Sequence, residues 1–413
     1  MNSQVQTPAN EGQVSHPSAS ILRGKVILLL ASLAAISNLS TNIILPAFPD
    51  IASQLNVTSQ ELGLTLSSFF ITYALAQLVV GPLADRYGRK RVIVGGLLVF
   101  VAGTFWASTA TTLDMLIMGR VIQGLGVCTA GVLSRAIARD LYEGETLARA
   151  LSLTMIATAT APGFSPLVGS VLNTTLGWRA LFILVGIAAI LITLFYVRSV
   201  GETLPVSRRV TQSMQAIVKA YGKLLRNRQF IFPALASSLL MSGLFASFAA
   251  TPAILMAGIG LTSLQMGLYF AATVFVVFAA GMAAPRLAHR FGAGAIALSG
   301  LSTAFVAGVL LLIGPTNPGL GWYTLSMVLF LWGMGLANPL ATAMTMSPFS
   351  KEAGLASALL GFLTMGLGAA TTWAVSTPEY PTVIVLGATQ SAVCVLAILL
   401  FTTYIYLGRK GAV

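Results

Sequence analysis

Long apolar segments follow one another along almost the whole chain, separated by short breaks that are polar, charged or rich in Pro and Gly. An α-helix needs about 20 apolar residues to cross a bilayer, so recurring segments of this length indicate membrane spans. The pattern predicts an all-α integral membrane fold with twelve transmembrane helices. They are expected near residues 24–46, 62–81, 91–109, 113–136, 148–172, 179–198, 230–256, 264–286, 293–313, 321–346, 353–375 and 382–407.

The longest polar interruption divides the predicted helices into two sets of six. "LADRYG" at 83–88 is repeated as "LAHRFG" at 287–292, each in the loop after the second helix of its set. Parallel six-helix halves related by an axis along the membrane normal are one architecture of secondary transporters. The expected domains are a disordered cytoplasmic tail at 1–23, an N-terminal half at 24–198, a cytoplasmic linker at 199–229, a C-terminal half at 230–407 and a cytoplasmic tail at 408–413.

The linker carries apolar residues at helical spacing among lysines and arginines. This pattern is typical of a basic amphipathic helix that lies on the inner leaflet, and a plain solvated linker is the alternative. The apolar positions are Val210, Met214, Ile217, Val218, Tyr221, Leu224 and Leu225.

Composition and charge agree with a membrane protein. Only 8% of the 413 residues are charged, whereas an ordinary soluble domain is about 25% charged. The net charge of +12 does not require a nucleic-acid partner, because alternate loops collect all but Arg120 and Arg179 of the 23 lysines and arginines. The positive-inside rule makes those loops and both termini cytoplasmic. Cys128 and Cys394 lie in apolar runs without the spacing of a metal site or a disulfide framework, so we expect no metal and no cofactor.

The strongest local motif is "GPLADRYGRKR" at 81–91. Gly81 permits close helix approach, Asp85 can accept hydrogen bonds from an arginine or a helix N-terminus, and Gly88 allows a tight turn. A generic basic loop would need the charges but not this order of residues. The expected gating loop consists of Gly81, Asp85, Arg86, Gly88, Arg89 and Lys90.

This order resembles the signature loop of the major facilitator superfamily, where it stabilises the gate between the second and third helices. "LIMGRVIQGLG" at 116–126 is similar to the fourth-helix motif of the drug/proton antiporters, with Arg120 at the arginine position. "LPAFPDIASQL", "RAIARDLY" and "GWRALF" resemble the Bcr/CflA subfamily of bacterial drug exporters.

"APGFSPLVGSVL" at 161–172 resembles the fifth-helix antiporter motif, although Ser165 and Ser170 replace two of its usual glycines. The matching residues are Pro162, Gly163, Pro166 and Gly169.

Arg120 is the only charged residue predicted well within a span. A charge in the hydrocarbon region is costly unless it faces a cavity or finds partners, so a functional role is the first interpretation. The alternative is a structural arginine that binds the carbonyls of neighbouring helices. The resemblance implies a place near the central cavity and a part in proton coupling.

Two amides, Asn38 and Asn42, lie one helical turn apart near the end of the first predicted helix. The resemblance implies an aspartate at the position of Asn42, but an amide exchanges no proton and can only donate and accept hydrogen bonds. These amides either bind substrate or bond to neighbouring helices. None of the 11 acidic residues falls clearly in the middle of a span. Further cavity candidates are Tyr73, Gln77, Gln123, Phe245, Phe248 and Asn338.

The expected function is secondary active export of a small organic molecule, a drug or an amphipathic metabolite, by alternating access and linked to protons. No Gly-x-x-x-x-Gly-Lys-Ser/Thr loop for ATP occurs. Alternatives are an exporter or uniporter of a siderophore, nucleoside or amino acid without proton coupling, and a non-transporting sensor. An enzyme is disfavoured because His16 and His289 lie outside the membrane core. We expect a monomer in the bacterial inner membrane.

Overall fold

The computed structural model describes residues 17–209, 213–376 and 380–409. The predicted tail residues 1–16 and 410–413 and the linker position Val210 lie outside this part of the chain. The described residues form fourteen α-helices, joined by turns and short 3₁₀- or π-helical segments. Twelve spans within the described part of the chain are long and apolar enough to cross a membrane. The prediction of an all-α membrane fold with twelve spans is confirmed.

Seven α-helices make up the N-terminal half, in which the first apolar segment is broken in two. They are α1 Pro17–Asn42, α2 Phe48–Leu55, α3 Gly63–Tyr87, α4 Arg89–Ser108, α5 Leu113–Leu141, α6 Gly144–Leu176 and α7 Trp178–Ser199.

The remaining helices form the linker and the C-terminal half. They are α8 Met214–Arg226, α9 Arg228–Thr251, α10 Ser263–Phe291, α11 Ala293–Ile313, α12 Leu320–Met346, α13 Ala353–Ser376 and α14 Thr382–Arg409. A π-helical segment, Pro252–Gly258, continues α9.

Several helices are longer than the hydropathy pattern predicts. Helix α1 begins at Pro17, before the expected start near residue 24, and α5 continues to Leu141, past the expected end near 136. Pro17 suits a first helical position because its missing N–H has no partner there in any helix. Hydropathy marks the edge of the hydrocarbon layer, but backbone hydrogen bonds extend a helix beyond that edge into the polar region.

The two halves meet chiefly along two helix pairs, α3 with α13 and α6 with α10. In each pair the second membrane helix of one half contacts the fifth of the other, as expected for a duplicated unit. Glycines permit these approaches, because a Cβ atom at Gly163 in α6 would overlap Val274 in α10. A Cβ atom at Gly361 in α13 would likewise overlap Gln77 in α3.

The linker contains a helix, α8, that packs one part of its apolar face on protein, whereas Val218 and Leu225 remain exposed. Ile217, Tyr221 and Leu224 are buried in a cluster with the start of α9 and with α13. The Tyr221 hydroxyl donates a hydrogen bond to the Leu78 carbonyl of α3 at 3.1 Å. Burial raises the pKa of Tyr221 to about 12. Much of the apolar face therefore packs on protein, and α8 joins both halves at the basic end of the bundle.

Candidate functional site

A cavity of about 1360 Å³ lies between the two halves. Its mouth is at the end of the bundle that carries the basic loops, where exposed and half-buried charged residues line it. Twelve of the residues predicted from sequence line this cavity. They are Asn38, Asn42, Tyr73, Gln77, Gly81, Asp85, Arg89, Pro162, Gly163, Phe245, Phe248 and Asn338.

Direct contacts between the halves close the opposite end of the cavity. Ser67 Oγ in α3 donates to the Ala369 carbonyl in α13 at 2.8 Å. Ser263 Oγ at the start of α10 donates to the Pro46 carbonyl, just after α1, at 3.1 Å. A Cβ atom at Gly63 would lie 3.1 Å from the Cβ atom of Ser376, so α3 and α13 also touch there. The cavity is therefore open at one end only.

Aromatic rings cross the cavity from one half to the other near its closed end. Phe70 in α3 packs against Phe245 in α9 with ring centroids 4.6 Å apart. Phe245 lies 6.3 Å from Phe248, which lies 5.9 Å from Phe270 in α10. Phe70 and Phe270 were not among the residues predicted from the sequence. The available signal was helical spacing, because Phe70 lies seven residues from Gln77, on the same face of α3.

The amides of α1 and α3 are buried in the cavity wall. Asn42 is 2% exposed, and its Nδ2 donates to the Asn38 carbonyl at 3.0 Å. This bond fixes the orientation of the amide, and its Oδ1 has no partner among the described residues. Gln77 is 6% exposed, and its Oε1 also has no such partner. The wall therefore contains buried acceptors that the protein leaves unused.

Arg120 lies behind the residues that line the cavity and does not line it itself. It is fully buried, and its Nη1 donates to the Ser40 carbonyl and to Gln123 Oε1, both at 2.9 Å. Ser40 lies in the last turn of α1, where carbonyls have no intrahelical donor. The guanidinium therefore binds the end of α1 from behind the cavity wall.

A polar chain continues from Arg120 into α4. Gln123, which also lies outside the cavity lining, donates through Nε2 to Thr104 Oγ1 at 2.8 Å. The Arg120 guanidinium lies 4.6 Å from the ring centroid of Phe69, and Phe69 lines the cavity. The Nε and Nη2 atoms of Arg120 have no partner among the described residues. One cavity-lining ring therefore separates an incompletely paired cation from the cavity.

Ion pairs hold the predicted gating loop at the cavity mouth. Arg89 Nη1 lies 2.6 Å from Asp85 Oδ1, and Arg89 Nε lies 3.1 Å from Asp140 Oδ2 at the end of α5. The Arg89 backbone N–H donates to Glu202 Oε1 at 2.8 Å, and Arg209 lies 3.6 Å from Glu202. Asp140, Glu202 and Arg209 were not predicted as members of this network.

The other gating-loop residues lie outside the cavity lining. Gly88 has φ +95°, which favours glycine, and it is buried beside Glu202. The exposed Arg86 guanidinium lies 5.4 Å from the Tyr87 ring, and Lys90 is half-buried at the start of α4.

The fifth-helix motif divides between the cavity and the helix contacts. Pro162 and Gly163 line the cavity, whereas Pro166 and Gly169 do not. A Cβ atom at Gly169 would overlap the Ile43 carbonyl oxygen. Gly169 therefore permits α6 to pack against the broken end of α1.

Known proteins are similar to this chain in sequence. Residues 30–372 match the Major Facilitator Superfamily. Multidrug resistance protein D of Escherichia coli (strain K12) is 32% identical over 343 residues, or 82% of this chain and 85% of that protein. The multidrug resistance protein MdtL of Escherichia coli O139:H28 (strain E24377A / ETEC) is 28% identical over 77% of this chain and 79% of its own length.

A solved structure shows the same fold at low sequence identity. It is a bacterial homologue of the human lysosomal transporter Spinster in an inward-facing and unoccupied conformation. The TM-score is 0.70 at 17% identity, with coverage of 94% of this chain and 97% of that chain.

Proposed function

The chain belongs to the Major Facilitator Superfamily, and on that premise we propose that it is a secondary active exporter of small organic molecules. The observation that carries this proposal is the cavity of about 1360 Å³ between the halves, open at the basic end and closed at the other. Such a cavity admits a solute from one side of the membrane, and rocking of the halves delivers it to the other.

The basic end defines the proposed orientation. Lysines and arginines collect in cytoplasmic loops, so the open mouth faces the cytoplasm and both termini are cytoplasmic. The relatives named as multidrug resistance proteins support drug efflux across the bacterial inner membrane as the direction and place of transport. A single chain encloses the cavity from both sides, so a monomer is sufficient for this function.

Flux into everted membrane vesicles tests this function. Eversion turns the cytoplasmic end outward, so export appears as uptake of solute into the vesicle. We expect uptake of at least one member of a panel of tritiated aromatic amides, nucleosides and amino acids, and vesicles without the protein are the control. If no solute moves under any gradient while purified protein still binds one of them, the exporter proposal is wrong.

Two forms of transport are candidates. In the first, the proton gradient drives export, with Arg120 and the position of Asn42 as coupling elements. In the second, the protein exports a native metabolite such as a siderophore, nucleoside or amino acid without proton coupling. One observation favours the second: Asn42 puts an amide in the wall at the position where the resemblance implies an acid, and an amide carries no proton.

Asn42→Asp distinguishes the two candidates. A carboxylate at this buried position titrates, so we expect flux through the variant to depend more strongly on an imposed ΔpH than flux through the wild type. The measurement is uptake into everted vesicles before and after nigericin collapses ΔpH. An unchanged dependence on ΔpH counts against Asn42 as the altered coupling position.

A further inference from the structure

Charge in the cavity wall is confined to the mouth. The charged residues that line the cavity all lie at the basic end of their helices, and the deeper wall has no Asp, Glu, Lys, Arg or His among the described residues. A permanently charged solute that moves inward therefore loses water without gaining an opposite charge, and this desolvation is unfavourable. The charged lining residues are Asp85, Arg89, Arg135, Arg139, Asp140 and Glu352.

The closed end of the cavity offers an apolar surface of aromatic rings tilted against one another. Phe70 and Phe245 come from opposite halves, and Phe248 and Phe270 continue the surface along the C-terminal half. All four residues line the cavity. Aromatic rings bind other rings by offset stacking or edge contacts as well as by burial of area. A solute with an aromatic body fits this surface.

Asn42 supplies an acceptor at the same end. It is the last residue of α1, while Phe70 and Phe270 lie in the second turns of α3 and α10, which begin at that end of the bundle. The Asn42 Nδ2 donates to the Asn38 carbonyl, so the part of the amide left for a ligand is the oxygen. Gln77 adds a second unpaired oxygen nearer the mouth. A buried acceptor without a partner is unfavourable until a donor arrives.

We propose that this cavity selects electrically neutral solutes that combine an aromatic body with an N–H or O–H donor, and that Asn42 Oδ1 accepts from that donor. The proposal rests on the cavity being the transport site, as argued above. Lipophilic cations are disfavoured because the deep wall has no counter-charge for them, and contact with ring faces offsets only part of their lost hydration. Neutral solutes without a donor stack on the rings but leave the Asn42 oxygen unpaired.

Three probes on one aromatic scaffold test the proposal by equilibrium binding to the full chain in nanodiscs. The first is 1-naphthylacetamide, which is neutral and has N–H donors. The second is its N,N-dimethyl amide, which is neutral and has no donor. The third is the (1-naphthylmethyl)trimethylammonium cation. We expect the first to bind about tenfold more tightly than the second, since one hydrogen bond is worth roughly this ratio, and the cation to bind most weakly.

Asn42→Leu assigns the donor contact to one atom. Leucine keeps the volume of the side chain but removes the oxygen, so 1-naphthylacetamide should lose about tenfold in affinity, the value of one hydrogen bond. Binding of the dimethyl amide, which never used that oxygen, should change little and serves as the internal control for folding.

The wild-type series decides the proposal even if the variant does not fold. Tightest binding by the cation, equal binding of the two amides, or no binding of any probe would overturn it. Each of these results leaves the exporter proposal standing, because that proposal fails only if no solute crosses the vesicle membrane.

Discussion

At the scale of single residues, the position of Arg120 in the membrane could be predicted from the sequence, but its hydrogen-bond partner could not. The apolar residues on both sides of this arginine predict that its charge lies within the membrane. Its partner could not be predicted, because the free Ser40 carbonyl exists only where α1 ends at Asn42 and the chain turns into a 3₁₀ segment, Leu45–Ala47. The arginine thus binds the end of α1 instead of facing the cavity.

Replacement of Arg120 by Met separates a coupling role from a structural one. Two guanidinium nitrogens lack described partners, so a Met side chain removes an incompletely compensated buried charge, and this gain offsets the loss of the donor to Ser40 and Gln123. We expect Arg120→Met to abolish transport without lowering the melting temperature of the purified protein. Arg290→Met, at an exposed arginine, is the matched control. A large drop in melting temperature would instead show that Arg120 mainly stabilises the packing of α5 against α1.

At the scale of elements, helix type and number could be predicted, whereas helix ends and the role of the linker could not. Hydropathy places twelve spans, but it gives no signal for Glu202, which lies in the loop after α7 and accepts from the Arg89 backbone N–H. That bond joins residues 113 positions apart in sequence. Tyr221 similarly joins α8 to α3 through its hydroxyl. The amphipathic pattern predicts that Tyr221 lies on the apolar face of α8, but it does not predict this hydrogen bond.

The hydrogen bond between Glu202 in the linker and Arg89 in the gating loop is expected to stabilise the protein. Glu202→Ala removes the acceptor of the Arg89 and Leu204 N–H groups and should lower the free energy of unfolding by about 1–2 kcal/mol. Arg209→Ala should cost less than about 1 kcal/mol, because its pair with Glu202 is 3.6 Å long and partly exposed. Thermal unfolding of both variants in the same detergent checks the order, and a larger loss for Arg209→Ala would contradict it.

At the scale of the whole molecule, the two halves and their duplication could be predicted from the repeated loop motif and the linker. The open end of the cavity could not, because a transporter sequence encodes every state of its cycle. The aromatic surface was also only partly predictable: Phe70 and Phe245 are 175 residues apart and meet only when the halves dock. Closure of one end by contacts such as those of Ser67 and Ser263 is the feature that implies alternating access.

A disulfide across the closed end tests alternating access most directly. A Cβ atom at position 63 would lie 3.1 Å from the Cβ atom of Ser376, slightly closer than the usual disulfide separation of about 3.5–4.5 Å, so a small shift of the helices accommodates the bond. Gly63→Cys with Ser376→Cys should therefore cross-link α3 to α13, and the native Cys128 and Cys394 are buried. Uptake into everted vesicles is measured before and after reduction, with each single variant as the control. Oxidation should stop transport, reduction should restore it, and probe binding should persist throughout. Full transport by the cross-linked protein would rule out alternating access by separation of α3 from α13.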